Sequence, residues 1–367
     1  MENGMKPLEA QLAYWLSRQT ARTSVRRIAQ LGAAVGSDIG LVRTENQDRA
    51  VLVQGWEANG SRFSVAVVAD GIGGMRAGGM CASLAISGFI ASICESATFR
   101  TLSSDWMMNA ALRANDAVYS KYYGDGGSTL IAALMRHGEA PCWMSVGDSR
   151  IYLETEQKLQ KLSTDDTIAG QLGRDAIENP EQGRLLQFIG MGSDIQPHVH
   201  ELESTVSGRL LLVTDGVHYL SKYSSCMDKI ASIATDSGVC AKRLLDLANW
   251  CGGHDNATVL IMPLSVDVES MSPPSVGFIE VLDSFGDGQF FIGSSLYSSG
   301  RDNGESCVSP NYALSNSVTS DPLATQRIDA TTKKNRSKNG VVKKGRAAKP
   351  NITDVPQLIM EFPNKRK

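Results

Sequence analysis

The stretch F-S-V-A-V-V-A-D-G-I-G-G-M-R-A-G, residues 63–78, decides the architecture of this 367-residue chain. Phe63–Ala69 is an unbroken apolar run and reads as a strand buried on both faces. Asp70 ends the run, and Gly71 lets the backbone turn sharply. The glycines give way to Met80–Cys94, a segment rich in Ala, Ser and Ile that reads as a helix. The unit is therefore strand, acidic turn, helix, with a carboxylate placed where a buried strand opens.

Outward from this unit, Ala33–Val42 and Ala50–Gln54 read as strands upstream. Downstream, Asp105–Tyr123 reads as a second helix with Trp106, Leu112 and Val118 on its apolar side. Strands are expected at Leu130–Met135, Cys142–Val146 and Ile151–Leu153, separated by turn signals. Residues 163–190 are polar and irregular, as in a mobile flap. Val199–Leu202 and Leu210–Val213 are strands again, followed by short helices around 227–235 and 239–251 and a closing strand, Ala257–Met262. Hairpin-length connections predict an α+β fold: a layered α-β-β-α sandwich, two antiparallel sheets flanked by pairs of helices, not a βαβ nucleotide fold.

Residues 1–32 are expected to form a helical extension, with periodicity at Leu8, Leu12, Trp15 and Leu16. Glu2 and Glu9 count against a transit peptide, and the first ten residues lack the layout of a secretory signal. After about residue 265, Ser, Asn, Gly and Thr dominate, and 265–367 is expected to be mostly disordered. A hairpin is expected over 277–292 around F-G-D-G. Residues 333–349 form a basic segment, read as a solvated linker, and V-P-Q-L-I-M-E-F at 355–362 an apolar tip that would dock a protein partner.

Hydrophobic residues make up 42% and charged residues 20%, enough apolar content for a sizeable core. A net charge of -3 gives no global reason to expect nucleic acid. Seven cysteines without a C-x-x-C pair argue against zinc or a disulfide framework and for a reducing, cytoplasmic compartment. No run approaches the roughly 20 apolar residues of a membrane span.

Three aspartates stand at strand ends among small residues: Asp70 in V-A-D-G-I-G-G, Asp215 in L-L-V-T-D-G-V and Asp255 in G-H-D-N-A-T-V. Their oxygens are hard ligands that suit magnesium or manganese. Three uncompensated carboxylates in a dry site would repel one another, a cost that divalent cations remove. Gathered together, they point to a two-metal centre for phosphate-ester hydrolysis.

R-T-E-N-Q-D at 43–48, D-G-I-G-G-M-R-A-G at 70–78, G-S-T-L at 127–130, V-G-D-S-R at 146–150, T-D-G at 214–216 and D-N-A-T-V at 255–259 occur in this order. Together they resemble the metal-dependent protein phosphatases of the 2C type, in a bacterial-like variant, over residues 33–264. The resemblance implies hydrolysis of phosphoserine and phosphothreonine in proteins, opposing a Ser/Thr kinase. It implies two Mg or Mn ions, with Asp70 bridging them, Gly71 supplying a carbonyl oxygen, and Asp215 and Asp255 as further ligands. It also implies a third, loosely held ion at Asp148. Arg43 would grip the substrate phosphate, a contact that suits a planar guanidinium; its only evident acidic neighbours in sequence are Glu45 and Asp48. Asp48 would order the ligands.

The chain departs from the family pattern at three points. Gln47 stands where many members have Glu. Ile72 stands where animal-type members have a His that protonates the leaving group. Asp166, in T-D-D-T at 164–167, stands where a His is usual, which bears on the flap.

Two other readings compete. A catalytically weak relative that only binds phosphoproteins would have the same fold. Cys94–Thr101 fits the C-x5-R-[S/T] spacing of cysteine phosphatases, but it lacks a glycine-rich cradle and places Glu95 beside the thiol. His198 and His200 alternate on one strand and read as exposed strand histidines, and His254 is adjacent to Asp255, within reach of a leaving oxygen.

Overall fold

Strand β4 (Arg62–Ala69) is buried along all eight of its residues because both of its faces meet a core. Val65, Val67 and Ala69 face a helical layer, whereas Ala66 and Val68 face a second sheet. This two-sided burial explains the unbroken apolar run, since a half-exposed strand would alternate.

The computed structural model describes residues 6–99, 101–155, 158–173, 183–203, 206–219, 224–264 and 278–292. All of them fall within the unit Met1–Asn303. The elements in chain order are α1 (Pro7–Leu16), β1 (Thr23–Ile28), β2 (Ala33–Asp38), β3 (Arg49–Trp56), β4, α2 (Gly78–Ser96), α3 (Ser103–Tyr122), β5 (Leu130–Arg136), β6 (Cys142–Val146), β7 (Arg150–Glu154) and β8 (Leu159–Lys161). They continue with α4 (Ile168–Gln171), β9 (His198–Glu201), β10 (Arg209–Val213), α5 (Asp215–His218), α6 (Ser224–Ile233), α7 (Ser237–Trp250), β11 (Ala257–Pro263), β12 (Phe278–Leu282) and β13 (Asp287–Phe291). One sheet runs β1-β2-β11-β10-β7-β8 and the other β13-β12-β3-β4-β5-β6-β9. Every pairing is antiparallel.

The expected α-β-β-α sandwich is observed. Leu210 and Leu212 of β10 face the inter-sheet core, whereas Leu211 and Val213 face α7. Truncating the fully buried Leu212 would cost about 2–5 kcal/mol. Helices α2 and α3 cover the other sheet. By length and composition α2 could cross a membrane, contrary to the sequence reading, but 89% of its apolar window is buried inside the protein. Such a helix is apolar all round because protein surrounds it. Leu112, expected on the apolar side of α3, is 40% exposed; Ala110, Ala111 and Ala114 are buried instead, since small residues let the helices approach closely.

The structure extends the expected domain at both ends. Residues 23–28 are strand, not helix, and β1 pairs with β2 along its length. The hairpin β12–β13 forms and joins the second sheet through β12 and β3. Added strands at both ends cover edges that would otherwise expose unpaired backbone groups. Arg18 ties the two additions together through Asp283 at 2.6 Å, and Trp15 meets Phe290 edge-on at 5.8 Å.

The flap reading needs a correction at its start, where Asp165, Asp166 and Thr167 are buried and Thr167 caps α4. Residues 174–182, Arg100, the basic segment 333–349 and the apolar tip 355–362 lie outside the described residues.

Candidate active site

Antiparallel pairing brings the chemistry to one end of the sandwich. Asp70 follows β4, Asp148 lies between β6 and β7, Asp215 follows β10, and Asp255 precedes β11. The register aligns Val213 with Val259 and Arg150, and Leu130 with Val146, so these strand ends open together. They form the floor of a cleft of about 540 Å³ with Arg43 and Gln47 at its edge. Ile72, Met75, Leu185 and Phe188 supply an apolar wall, and Arg184 a second cation.

Asn256 explains how Arg43 reaches this cleft. Its side chain accepts from Gln47 N at 2.8 Å and donates to Ile39 O and Glu45 O at 2.9 and 3.0 Å. The loop carrying Arg43 is thereby fastened beside Asp255. Arg43 Nη2 lies 2.6 Å from Asp255 Oδ2, so the guanidinium has an acidic partner 212 residues away, not Glu45 or Asp48. That hydrogen bond raises the Arg43 pKa further. A Cβ on Gly73 would sit 3.2 Å from Arg43 Nη1, and one on Gly71 would collide with the Gly78 backbone. Glycine at these positions lets the guanidinium and the start of α2 close onto the turn.

The acids are braced from behind. Asp70 N donates to Thr129 Oγ1 at 3.0 Å, and Asp70 O accepts from Ser128 Oγ and Thr129 N, both at 2.8 Å. Thr214 Oγ1 donates to Asp48 Oδ2 at 2.9 Å, placing the buried Asp48 behind Asp215. Arg49 holds that loop by donating to Asn46 O and Asp48 O, and ties it to α1 through Leu16 O at 2.7 Å. Gly147 N donates to Asp166 Oδ2 at 2.8 Å, so Asp166 fixes the turn bearing Asp148. The sequence reading did not single out Asn256, Thr214, Thr129 or Arg49 for these tasks. The only signal was their position within or beside the acidic motifs.

The electrostatics show a site short of positive charge. Burial, then Asp48 and Asp215, pushes the Asp70 carboxyl well above its ordinary value. Burial raises Asp48 to about 7; burial and Asp215 raise Asp148 to about 8; burial and Asp255 raise Asp215 to about 6. A hydrogen bond with Asp70 partly offsets the rise at Asp215. Asp48 Oδ1 and Asp215 Oδ1 are buried without a hydrogen-bond partner. Orphaned carboxylate oxygens and suppressed ionisation fit a site completed by divalent cations. Among the described residues, no three His, Cys, Asp or Glu side chains form a ready-made metal-holding group. Asp255 is turned to Arg43, and the remaining acids line an open cleft. Such a set of hard oxygens suits ions that keep several waters, as magnesium does.

The histidines stand elsewhere. His198 Nε2 is 2.8 Å from Asp166 Oδ1, and His200 stacks on Trp143 at 4.6 Å. His254 is exposed and meets Tyr219 edge-on, not the cleft lining. Cys94 is buried in α2, with its thiol pushed up to about 12 by burial and Glu95, the reverse of an activated nucleophile.

The sequence pattern that defines protein phosphatase 2C matches residues 42–247, more than half of the chain. The chain belongs to the protein phosphatase 2C family. This makes it a metal-dependent hydrolase of the serine/threonine phosphatase class. The phosphatase 2C chain is 28% identical over 240 residues to the serine/threonine phosphatase stp of Listeria monocytogenes, covering 62% of this chain and 93% of the relative. It is 27% identical over 242 residues to the serine/threonine protein phosphatase PstP of Mycobacterium tuberculosis, covering 62% of this chain and 44% of that protein. Its fold matches the crystal structure of the PPM Ser-Thr phosphatase MsPP from Mycobacterium smegmatis in complex with cacodylate. That match has a TM-score of 0.52 and 29% identity, covering 64% of this chain and 98% of the other. The catalytic domain of PstP in complex with two manganese ions matches with a TM-score of 0.50 and 26% identity, covering 66% and 100%.

Proposed function

We propose that this phosphatase removes phosphate from phosphoserine and phosphothreonine in proteins, opposing a Ser/Thr kinase whose targets, or which itself, are the substrates. One observation carries the reading: four aspartates from distant segments and Arg43 face the same cleft. Asp70 with Gly71, Asp215 and Asp255 would hold two Mg or Mn ions, and Asp148 a third. When bound, such ions supply positive charge that acidifies water and offsets charge on the phosphoryl group.

The chain's own residues supply position and charge. Arg43 is fully charged at any physiological pH, and its planar fork fits two nonbridging phosphate oxygens. To receive them it exchanges part of its contact with Asp255. Asn256 and Gly73 fix where that fork points, so the phosphoryl group arrives preoriented over the acids. Ile72 carries no titratable proton, so the leaving oxygen takes its proton from water in the open cleft. No covalent enzyme intermediate is needed.

The test is turnover of a phosphoserine peptide by the purified chain with Mn2+ or Mg2+, and calorimetric titration of the same ions. Asp215→Asn should lose both turnover and ion binding. A folded wild-type chain that binds ions but releases no phosphate would favour a phosphoprotein-binding module.

A further inference from the structure

Next in sequence to Arg43, which lines the cleft, stand two apolar side chains that the hydrolytic reading leaves unused. Leu41 and Val42 directly precede Arg43 and are 67% and 62% exposed. Their loop is not free to fold them away. Leu41 N and Val42 N both donate to Gly253 O, at 2.8 and 3.3 Å. Gly40 packs so closely on Asp255 that a Cβ would collide with its carbonyl oxygen. On the same 253–255 turn, His254 meets Tyr219, itself 59% exposed, edge-on with ring centroids 6.3 Å apart.

Single exposed aliphatic residues are ordinary. A rigidly held pair joined to the guanidinium that receives phosphate is a different matter, because its water is displaced whenever a substrate chain occupies that corner. An extended chain advances roughly 3.3–3.6 Å per residue. Leu41 and Val42 bend about Gly253 O, which keeps both side chains within a residue or two of Arg43. A phosphorylated side chain held at Arg43 therefore leaves its neighbours in sequence over these two residues. Acidic neighbours would instead meet Asp255 and the acidic floor.

We infer that Leu41 and Val42 form a docking ledge for an apolar side chain one or two residues from the phosphoserine or phosphothreonine of a protein substrate. The inference rests on the phosphatase reading above and adds the substrate's local sequence. Contact with the ledge lowers KM, since it forms on binding and is remote from the reacting bond.

The experiment compares two phosphoserine peptides of equal length and charge, one with Leu and one with Ser on both sides of the phosphoserine, using the full chain with Mn2+. Wild type should favour the Leu peptide by about tenfold in kcat/KM, carried by KM, the discrimination expected of a small apolar contact. Leu41→Ser with Val42→Ser should bring that preference close to unity. Leu41→Glu should transfer the preference to a peptide with Lys in place of Leu. The inference is overturned if wild type shows no preference, if the double variant keeps it, or if Leu41→Glu leaves the Lys peptide disfavoured. A wild-type chain that hydrolyses neither peptide nor p-nitrophenyl phosphate overturns the phosphatase reading instead, and the ledge with it.

Discussion

Arg43 Nη2 donates to Asp255 Oδ2 at 2.6 Å. The residue that would receive the phosphate is thus already paired with an acid that would hold a cation. Both side chains remain partly exposed, at 43% and 34%, so the pair is screened and exchangeable. Arg43→Ala frees Asp255, and its Mn2+ affinity should rise by a few fold, in line with the worth of an exposed pair of about 0.2–1 kcal/mol. The kcat/KM on a phosphopeptide should fall on the order of a hundredfold. Arg43→Lys, which keeps the charge but loses the fork, should fall between. Calorimetry and steady-state kinetics on the same preparations check both directions.

Asp48, Asp148 and Asp215 have folded pKa values of about 7, 8 and 6, all above the ordinary carboxylate range. A carboxyl raised on folding stabilises the fold while protonated. That contribution is full below the unfolded value of about 4 and is lost as pH climbs through the raised values. Without divalent cations, the chain should lose stability from this cluster as pH climbs from about 4 to about 8. Asp148→Asn should raise the melting temperature in EDTA at pH 8 and flatten the slope, whereas Mn2+ should stabilise wild type more than the variant. Scanning calorimetry across pH, with and without Mn2+, measures this.

The buried pair Arg150–Asp165 has the opposite sign. Both side chains are 6–7% exposed, with Nη2 and Oδ2 2.6 Å apart, and the Asp165 carboxyl lies below its ordinary range despite burial because Arg150 hydrogen-bonds it. Its contribution is present above the ordinary carboxylate pKa and is lost as pH falls through the depressed one. Asp165→Ala removes the carboxylate from a buried guanidinium and should cost about 3–5 kcal/mol. Urea denaturation at pH 7 should show it as a lower midpoint.

Cys94→Ser should leave phosphatase activity intact, because the thiol is buried and its pKa is raised to about 12. EDTA should abolish the activity, and added Mn2+ should restore it. The reverse pattern would indicate a cysteine nucleophile.

Much of the fold was legible in the sequence because burial on both faces writes itself as continuous apolar runs. Phe63–Ala69 and Cys142–Val146 differ from the observed strands by at most one residue. Leu112 misled because periodicity marks a face of α3 but not how far α2 covers it. The strand at 23–28 was missed because T-S-V-R-R-I carries no clean alternation; it forms by pairing with β2.

Local sequence determined where Asp70 and Asp215 would stand, since a short carboxylate after an apolar run and before a glycine has few backbone options, and it placed Asp255 at the start of the closing apolar run. It could not determine what each acid would face. The partner of Arg43 is 212 positions away, Asn256 fastens a loop from the other end of the chain, and Arg49 reaches to α1. Such contacts depend on strand register across two sheets. Antiparallel pairing brings residues remote in sequence within hydrogen-bonding distance, and only the folded chain reveals which ones meet.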